Sequence, residues 1–305
     1  EQSMLVQIKG MSAIFSENDY EIIAQINDNK DNPLDDDVLA YLNKARIEKR
    51  TIFEDDVLVG YFPSTTEKVS LLYLKGVSQI NDIDTKLLEV FSGNVSLAFD
   101  NLLLNREIME TQEELIFRLG DVVESRSNEA GNHIRRMSEV SYLIALDLGL
   151  PQDQAELLKQ AAPMHDIGKV ATPDAILLKP GKLLDEEMEI MKQHPTTGHD
   201  ILVGSDRPML KAAATISQQH HEKFDGTGYP QGIKGEDIHI FARIVAAADV
   251  FDALTHKRCY KDAWPIDKVI TFFKEAKGNH LDPVIVDSLL NNIDKDIAIN
   301  NLYTE

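Results

Sequence analysis

The densest chemistry in the chain lies in HHEKFDGTGYP, His220–Pro230, where two adjacent imidazoles and Glu222 run into a loop carrying Gly226, Gly228, Tyr229 and Pro230. All nine histidines fall between His133 and His280, which points to a histidine-using site confined to the C-terminal part. A second group stands in MHDIGK, where His165 and Asp166 offer one nitrogen and up to two oxygens to a metal at the end of an apolar helix. His194 precedes Pro195, so its helix is predicted to end there and turn the imidazole into a shared space. His220 and His221 read as neighbours on a helix, roughly 100° apart. One can ligate while the other packs, or each can serve a different metal. Asp249 interrupts the apolar stretch IVAAADVFDAL, where an unpaired carboxylate would be costly to bury, and Asp252 shares its face three residues on. Glu129 and His133, four apart at a helix start, also share a face.

Imidazoles and carboxylates without thiolates suit iron, manganese or zinc better than calcium, which prefers oxygen shells. Glu129, His133, His165, Asp166, His194, His220, His221 and Asp249 are more ligands than one ion takes, so at least two metals follow if most of them ligate. Two metals about 3.5–4 Å apart are a usual device for phosphate-ester hydrolysis, activating a bridging hydroxide and stabilising phosphoryl charge.

The elements that must position these residues divide the chain. Residues 1 to about 80 mix predicted strands (MLVQIKG, TIFEDDVLVGYF, VSLLYLKGV) with helical patterns (YEIIAQI, DDVLAYLNKARIEK) around a polar loop, NDNKDNPLDDD. About forty helical residues follow, with Leu97, Leu104, Ile108, Leu115 and Val122 at heptad-like spacing and Asn94 and Asn101 at candidate seam positions. Two readings fit this stretch: an amphipathic helix packed on its own domain, or a connecting helix that dimerises. After Ser127 the chain reads as helices separated by proline and glycine breaks. The expected fold is α+β: a small α/β domain over 1–85, a connecting helix over 86–127 and an all-α domain over 128–305.

Composition narrows the function. A formal charge of −20 argues against a polymeric nucleic-acid partner, which needs lysine and arginine to neutralise phosphates, but leaves room for a small phosphate ligand in a locally basic pocket. The apolar runs are far short of the roughly 20 residues that span a bilayer, and no secretory pattern opens the chain, so no membrane role is expected. The single cysteine, Cys259, excludes an internal disulfide framework and suits a reducing cytoplasm. Opening on Glu1 rather than Met, the chain reads as a piece of a longer protein.

The ordered set Glu129…His133, His165-Asp166, His194, His220-His221 and Asp249, with Gly228-Tyr229-Pro230, resembles the HD-GYP subgroup of the HD phosphohydrolase superfamily. The resemblance runs from about Asn128 to Pro283 and takes in HDIGKVATPDAILLKPGKL, ARIVAAADVFDALTHKRCYKDAW and GNHLDP. It implies a metal-dependent phosphodiesterase that hydrolyses cyclic di-GMP to the linear dinucleotide and, in some members, on to GMP. By the same resemblance, Asp166 bridges two metals, and His165, His194, His220, His221 and Asp249 are terminal ligands. Glu129 and His133 complete the shell, with Glu129 holding a third metal in members that have one. Iron or manganese is expected. Lys169 would contact the scissile phosphate, as a cation can where charge builds. Arg258 and Lys261 look like the family's substrate contacts. Tyr229 is placed near a structural or partner-recognition role as much as a catalytic one, and Glu222 is expected to brace the loop. His199 and His280 fall outside the ligand set. Val140 stands where many members carry a tyrosine, Ile238–Phe241 replaces a commoner Ile-Pro pattern, and Leu281 replaces a usual phenylalanine. The N-terminal module, especially LLYLKGVSQINDIDTKLLEVFSGNVSLAFDNLLL, resembles GAF-like sensory domains, so the expected arrangement is a regulated, cytoplasmic, homodimeric signalling enzyme. Two alternatives stand beside it: a metal-bound adaptor that binds cyclic di-GMP without useful turnover, and a hydrolase of another nucleotide.

Overall fold

The computed structural model describes residues 9–15, 20–26, 36–54, 56–63, 69–75, 82–127, 132–256 and 262–303. The chain divides into two compact units, Glu1–Glu110 and Thr111–Glu305.

The first unit holds strands β1 (Lys9–Phe15) and β2 (Tyr20–Ile26), helix α1 (Asp36–Glu48) and strands β3 (Ile52–Glu54), β4 (Val57–Pro63) and β5 (Val69–Lys75). The strands form one antiparallel sheet in the order β2-β1-β5-β4-β3. Leu42 and Ala45 of α1 pack against Ile52, Val57, Val59, Leu71 and Tyr73 to make its small core. In β5, Leu71 and Tyr73 point inward, the two-residue alternation of a half-buried strand. The expected helix at YEIIAQI is strand β2 instead. A seven-residue apolar run is too short for periodicity to separate helix from strand, and here the ladder to β1 decides. TIFEDDVLVGYF is two strands of a hairpin, Ile52 opposite Val59, and most of MLVQIKG and of the polar loop lies outside the described residues.

Helix α2 (Asp82–Arg126) crosses the division between the units. In the second unit follow α3 (His133–Asp147), α4 (Gln152–Ala161), α5 (Asp174–Leu177), α6 (Asp185–Met191), α7 (His194–Leu202), α8 (Pro208–Gln219), α9 (Ile240–Thr255), α10 (Ile266–Ala276), α11 (Pro283–Asn291) and α12 (Ile293–Leu302). Helix α9 is apolar nearly all round, with Phe241, Ala242, Ile244, Val245, Ala247, Ala248 and Phe251 buried. Such a helix belongs at the centre of a bundle, and α9 packs on α3, α8, α10 and α11. Asp252 is thereby carried into the interior, and Asp249 to its partly exposed edge.

Two local expectations are corrected. The helix before His194 stops at Met191, and His194 opens α7 with Pro195 in its first turn, where a missing N–H costs nothing. His220 is the C-cap of α8 and His221 lies beyond it, so the pair ends a helix rather than sharing one. The Ile238–Phe241 departure also has a local reason: His239 is the N-cap of α9, and its Nδ1 accepts the Phe241 N–H at 3.2 Å.

Helix α12, not foreseen in so polar a segment, packs Ile293, Ile297 and Ile299 on the core and buries Asp296. Burial pushes the Asp296 carboxyl up to about 7, against a weaker lowering from Lys295 and with help from Asp147. The folded state therefore holds this proton over a range where the unfolded chain has released it. Stability falls as pH rises from about 4 to about 7 and is flat above. Asp296→Asn is expected to raise Tm by about 5 °C at pH 8 and by little at pH 4.5. Thermal melts across that range check it; a gain independent of pH would dismiss the titration.

Candidate metal centre

The HD pair sits in a turn between two short 3-10 segments, Ala162–Met164 and Ile167–Ala171, so neither residue is locked into a long helix. Asp166 is the hub. Its Oδ1 lies 3.0 Å from His194 Nε2 and 3.5 Å from His220 Nε2, and its Oδ2 lies 3.2 Å from His165 Nε2. Lys169 places Nζ 2.6 Å from Asp166 Oδ2. His133 Nε2 approaches Asp249 Oδ1 at 3.5 Å. Among the described residues, three groups of potential ligand atoms come within 4.8 Å of one another: Asp166 with His194, His220 and His221; His133 with His165 and Asp249; and Glu124 with His165 and Asp166.

Four of these rings are aimed from behind. Nδ1 of His165 meets the Ala162 carbonyl at 3.1 Å, Nδ1 of His194 the Met191 carbonyl at 2.8 Å, and Nδ1 of His220 the Ser217 carbonyl at 2.9 Å. Nδ1 of His133 meets Asp252 Oδ2 at 2.7 Å. A ring whose Nδ1–H donates to an acceptor presents an Nε2 lone pair at its other edge. The Nε2 atoms of all four, and Asp166 Oδ1, are buried without a hydrogen-bond partner. Buried polar atoms are otherwise almost always satisfied, and this concentration of basic lone pairs around carboxylates fits a divalent cation.

The electrostatics match. Burial works against charge on Asp166, yet Lys169 and His165 hold it well below the usual carboxylate range. Burial likewise opposes charge on His165, but Asp166, Asp249 and Glu124 push it up to about 9. His221 is driven well down, by burial first and then by His220 and His194. Asp252 is buried among His133, Arg136 and His256. Burial opposes its charge, but the hydrogen bonds from His133 and His256 and from the Arg136 guanidinium keep it ionised.

The GYP loop is built onto this centre. Tyr229 stacks on His221, with ring centroids 4.8 Å apart and an interplanar angle of 29°. Glu222 Oε1 accepts the N–H groups of Gln231 at 2.7 Å and Gly232 at 3.1 Å. Carbonyls of Asn279 and His280, in GNHLDP, accept the N–H groups of Asp225 and Phe224. A Cβ at position 228 would lie 2.3 Å from the Lys223 nitrogen, so the loop can pass there only as glycine. Val140 and Leu281 are both core side chains. His199 joins α7 to α8 through the Ala214 carbonyl at 3.3 Å.

Glu129, Arg258 and Lys261 lie outside the described residues. Glu124 and Arg126 were not foreseen. Phe117, Gly120, Val123 and Glu124 are all buried, and this second stripe, at a spacing of three to four along α2, was the signal for Glu124.

Residues 119–285 match the HD domain family, and the chain belongs to it. Residues 5–108 match a separate family described as a domain of unknown function, DUF3369. The chain is 43% identical over 230 residues to the 3'3'-cGAMP-specific phosphodiesterase 2 of Vibrio cholerae, covering 75% of this chain and 44% of that protein. It is 45% identical over 184 residues to the cyclic di-GMP phosphodiesterase response regulator RpfG of Xanthomonas campestris pv. campestris, covering 60% of this chain and 49% of that protein. A cyclic di-GMP phosphodiesterase of Vibrio cholerae is 40% identical over 225 residues, covering 68% and 46%. The chain thus spans about half the length of the curated relatives it matches. Among the described residues no helix is long and apolar enough to cross a membrane.

Proposed function

We propose that the chain is a metal-dependent phosphodiesterase acting on a 3',5'-linked cyclic dinucleotide, opening it to the linear form and, with a second cleavage, to mononucleotides. The observation that carries this reading is the set of buried, partnerless Nε2 atoms gathered around Asp166. In it, Asp166, His194, His220 and His221 would hold one divalent cation, and His133, His165 and Asp249 would hold a second. Glu129 completes the shell. Iron or manganese suits these donors. Bound there, such cations supply Lewis acidity toward a phosphoryl oxygen and acidify water. Lys169 would offer its ammonium to the phosphate, Arg258 and Lys261 would add positive charge for the substrate, and Asp252 fixes the His133 ring with Nε2 toward Asp249. Tyr229 holds the His221 ring by stacking.

The relatives' names divide between cyclic di-GMP and 3'3'-cGAMP, so both are substrates to test. Anaerobically purified protein reconstituted with Fe(II) or Mn(II) is expected to cleave at least one of them, and to stop when a chelator removes the metal. Metal should be counted on the same sample. A fully metallated sample that binds either dinucleotide but cleaves neither would replace the enzyme by the adaptor.

The division into residues 1–85, 86–127 and 128–305 belongs to the same reading, with the first part a GAF-like regulatory module, and the protein working in the cytoplasm as a homodimer joined through α2. Support for the dimer comes from Val90, Leu97, Leu104, Ile108, Leu115 and Val122, which are 41–64% exposed. With Asn94 and Asn101 they occupy a and d positions of one heptad register, which Thr111 and Arg118 interrupt. Glu107, Glu114 and Asp121 hold g positions; they would face one another in an antiparallel pair and neutral e positions in a parallel one. Sedimentation is expected to give a dimer that Leu104→Glu with Ile108→Glu converts to monomer. A monomeric wild type removes this part of the reading.

A further inference from the structure

Lys169 is fixed by more than its own segment. Helix α2 reaches it at its last turn: Glu124 Oε1 lies 3.7 Å from Lys169 Nζ. Two residues on, the Arg126 guanidinium takes hold of the backbone around Lys169. Its two terminal nitrogens donate to the carbonyls of Lys169 at 3.0 Å, Val170 at 2.8 Å and Thr172 at 3.2 Å, and to Asp174 Oδ1 at 2.7 Å. One turn earlier, Gly120 brings α2 so close to the turn before His165 that an added Cβ would lie 2.9 Å from the Pro163 carbonyl oxygen. The segment Pro163–Asp174, which carries His165, Asp166 and Lys169, is thus gripped by α2 at three successive turns or part-turns.

A lysine beside a carboxylate hub has a choice of partners. With Nζ 2.6 Å from Asp166 Oδ2 and 3.7 Å from Glu124 Oε1, the ammonium lies between the hub and the end of α2, in direct contact with the hub. Glu124 supplies a counter-charge on the α2 side, and Arg126 sets where the lysine's backbone starts. Four donors in one rigid fork make the guanidinium suited to such a clamp in a way lysine is not. We propose that Glu124 and Arg126 are positioning residues that hold the Lys169 ammonium for the phosphate. The end of α2 thereby becomes part of the catalytic machinery rather than only its support. The proposal rests on the role of Lys169 given above. Its consequence is directional: a shift of α2 along or about its axis reaches Lys169 through contacts that leave the histidines' carbonyl tethers untouched.

The test uses the full chain and four variants: Glu124→Gln, Arg126→Met, Lys169→Met and the double variant Glu124→Gln/Lys169→Met. Each is reconstituted with Mn(II), its metal counted, and its kcat and KM measured on cyclic di-GMP and 3'3'-cGAMP. The reactivity of Lys169 itself is read without substrate, as the rate of reductive methylation at that residue by peptide mass spectrometry. Glu124→Gln and Arg126→Met are expected to keep wild-type metal, to lose about 30-fold in kcat with KM little changed, and to methylate Lys169 about threefold faster or more. On the Lys169→Met background, Glu124→Gln should cost nothing further, because the two act through one ammonium. Loss of metal from Glu124→Gln would overturn the proposal by making Glu124 a ligand. Unchanged methylation, or a Glu124→Gln cost that adds fully to that of Lys169→Met, would overturn it too. Should the metallated wild type cleave neither dinucleotide, the proposed function fails and the methylation rates decide the positioning by themselves; should Lys169→Met keep full turnover, the function stands but the role of Lys169 fails, and this proposal with it.

Discussion

Asp166→Ala is expected to empty the centre of metal and to lower cyclic dinucleotide turnover by about 1000-fold or more, in a protein that remains folded. The carboxylate lies among the ligand atoms of two of the three groups, and both of its oxygens face imidazole nitrogens at 3.0–3.5 Å. Removing it takes the carboxylate out of the group formed with His194, His220 and His221 and leaves His165 with Asp249 and Glu124, while the Lys169 ammonium loses its 2.6 Å partner. The hub that both groups share is gone, and the centre holds a cation far less well. The fold should survive, because the core is the apolar packing of α3, α4, α8 and α9, to which Asp166 contributes nothing. Metal analysis by mass spectrometry, with circular dichroism on the same sample, reads both halves. A variant that keeps wild-type metal content would show that the hub is elsewhere.

The second large effect comes from a residue with no side chain. A Cβ at Gly168 would lie 1.9 Å from the His194 carbonyl oxygen and 2.6 Å from the Gly198 nitrogen. Neither is the end of a flexible side chain, so Gly168→Ala must drive the segment carrying His165, Asp166 and Lys169 away from α7. Facing it, Gly198 is as tightly placed, an added Cβ there meeting Ser217 Oγ at 2.1 Å. A cost of about 3 kcal/mol is expected, or about 10 °C in Tm, the scale of overpacking in a close-packed interior. Because His194 rides on the displaced element, metal content should fall as well, although every donor atom remains. Differential scanning fluorimetry with and without added Mn(II) separates the two effects. An unchanged melt and full metallation would mean that the two backbones can part without disturbing the ligands.

The centre was legible in the chain because ligands are scarce residue types: histidines cluster in one part of it, and Asp249 and Asp252 interrupt an apolar helix. Helix α9 could be seen to be buried from composition alone, and buried carboxylates need partners. What carries a ligand was less legible than which residue it is. His194 was expected at a helix end and stands at a helix start, because proline is excluded from a helix interior and welcome in its first turn. YEIIAQI was ambiguous because pairing across a sheet, not local period, chose strand. The grip of α2 on Lys169 stayed hidden for a different reason. The exposed heptad stripe masks a second stripe on the same helix, and nothing in the order of residues says that Arg126 meets carbonyls more than forty positions away.

The carbonyl tethers behind the histidines carry a further consequence. Ile216, Ser217, Met191 and Ala162 hold three imidazoles by main-chain atoms, so the donors are gathered when the chain folds rather than when an ion arrives. The entropic cost of convening them falls on folding, and the ion need not meet it again. Occupancy and resistance to unfolding then become two readings of one equilibrium: free metal at a hundred times its dissociation constant adds about 2.7 kcal/mol to the folded state. Preparations that differ only in how much metal they retained would melt at different temperatures, and a thermal melt would serve as a gauge of metallation before any substrate is added.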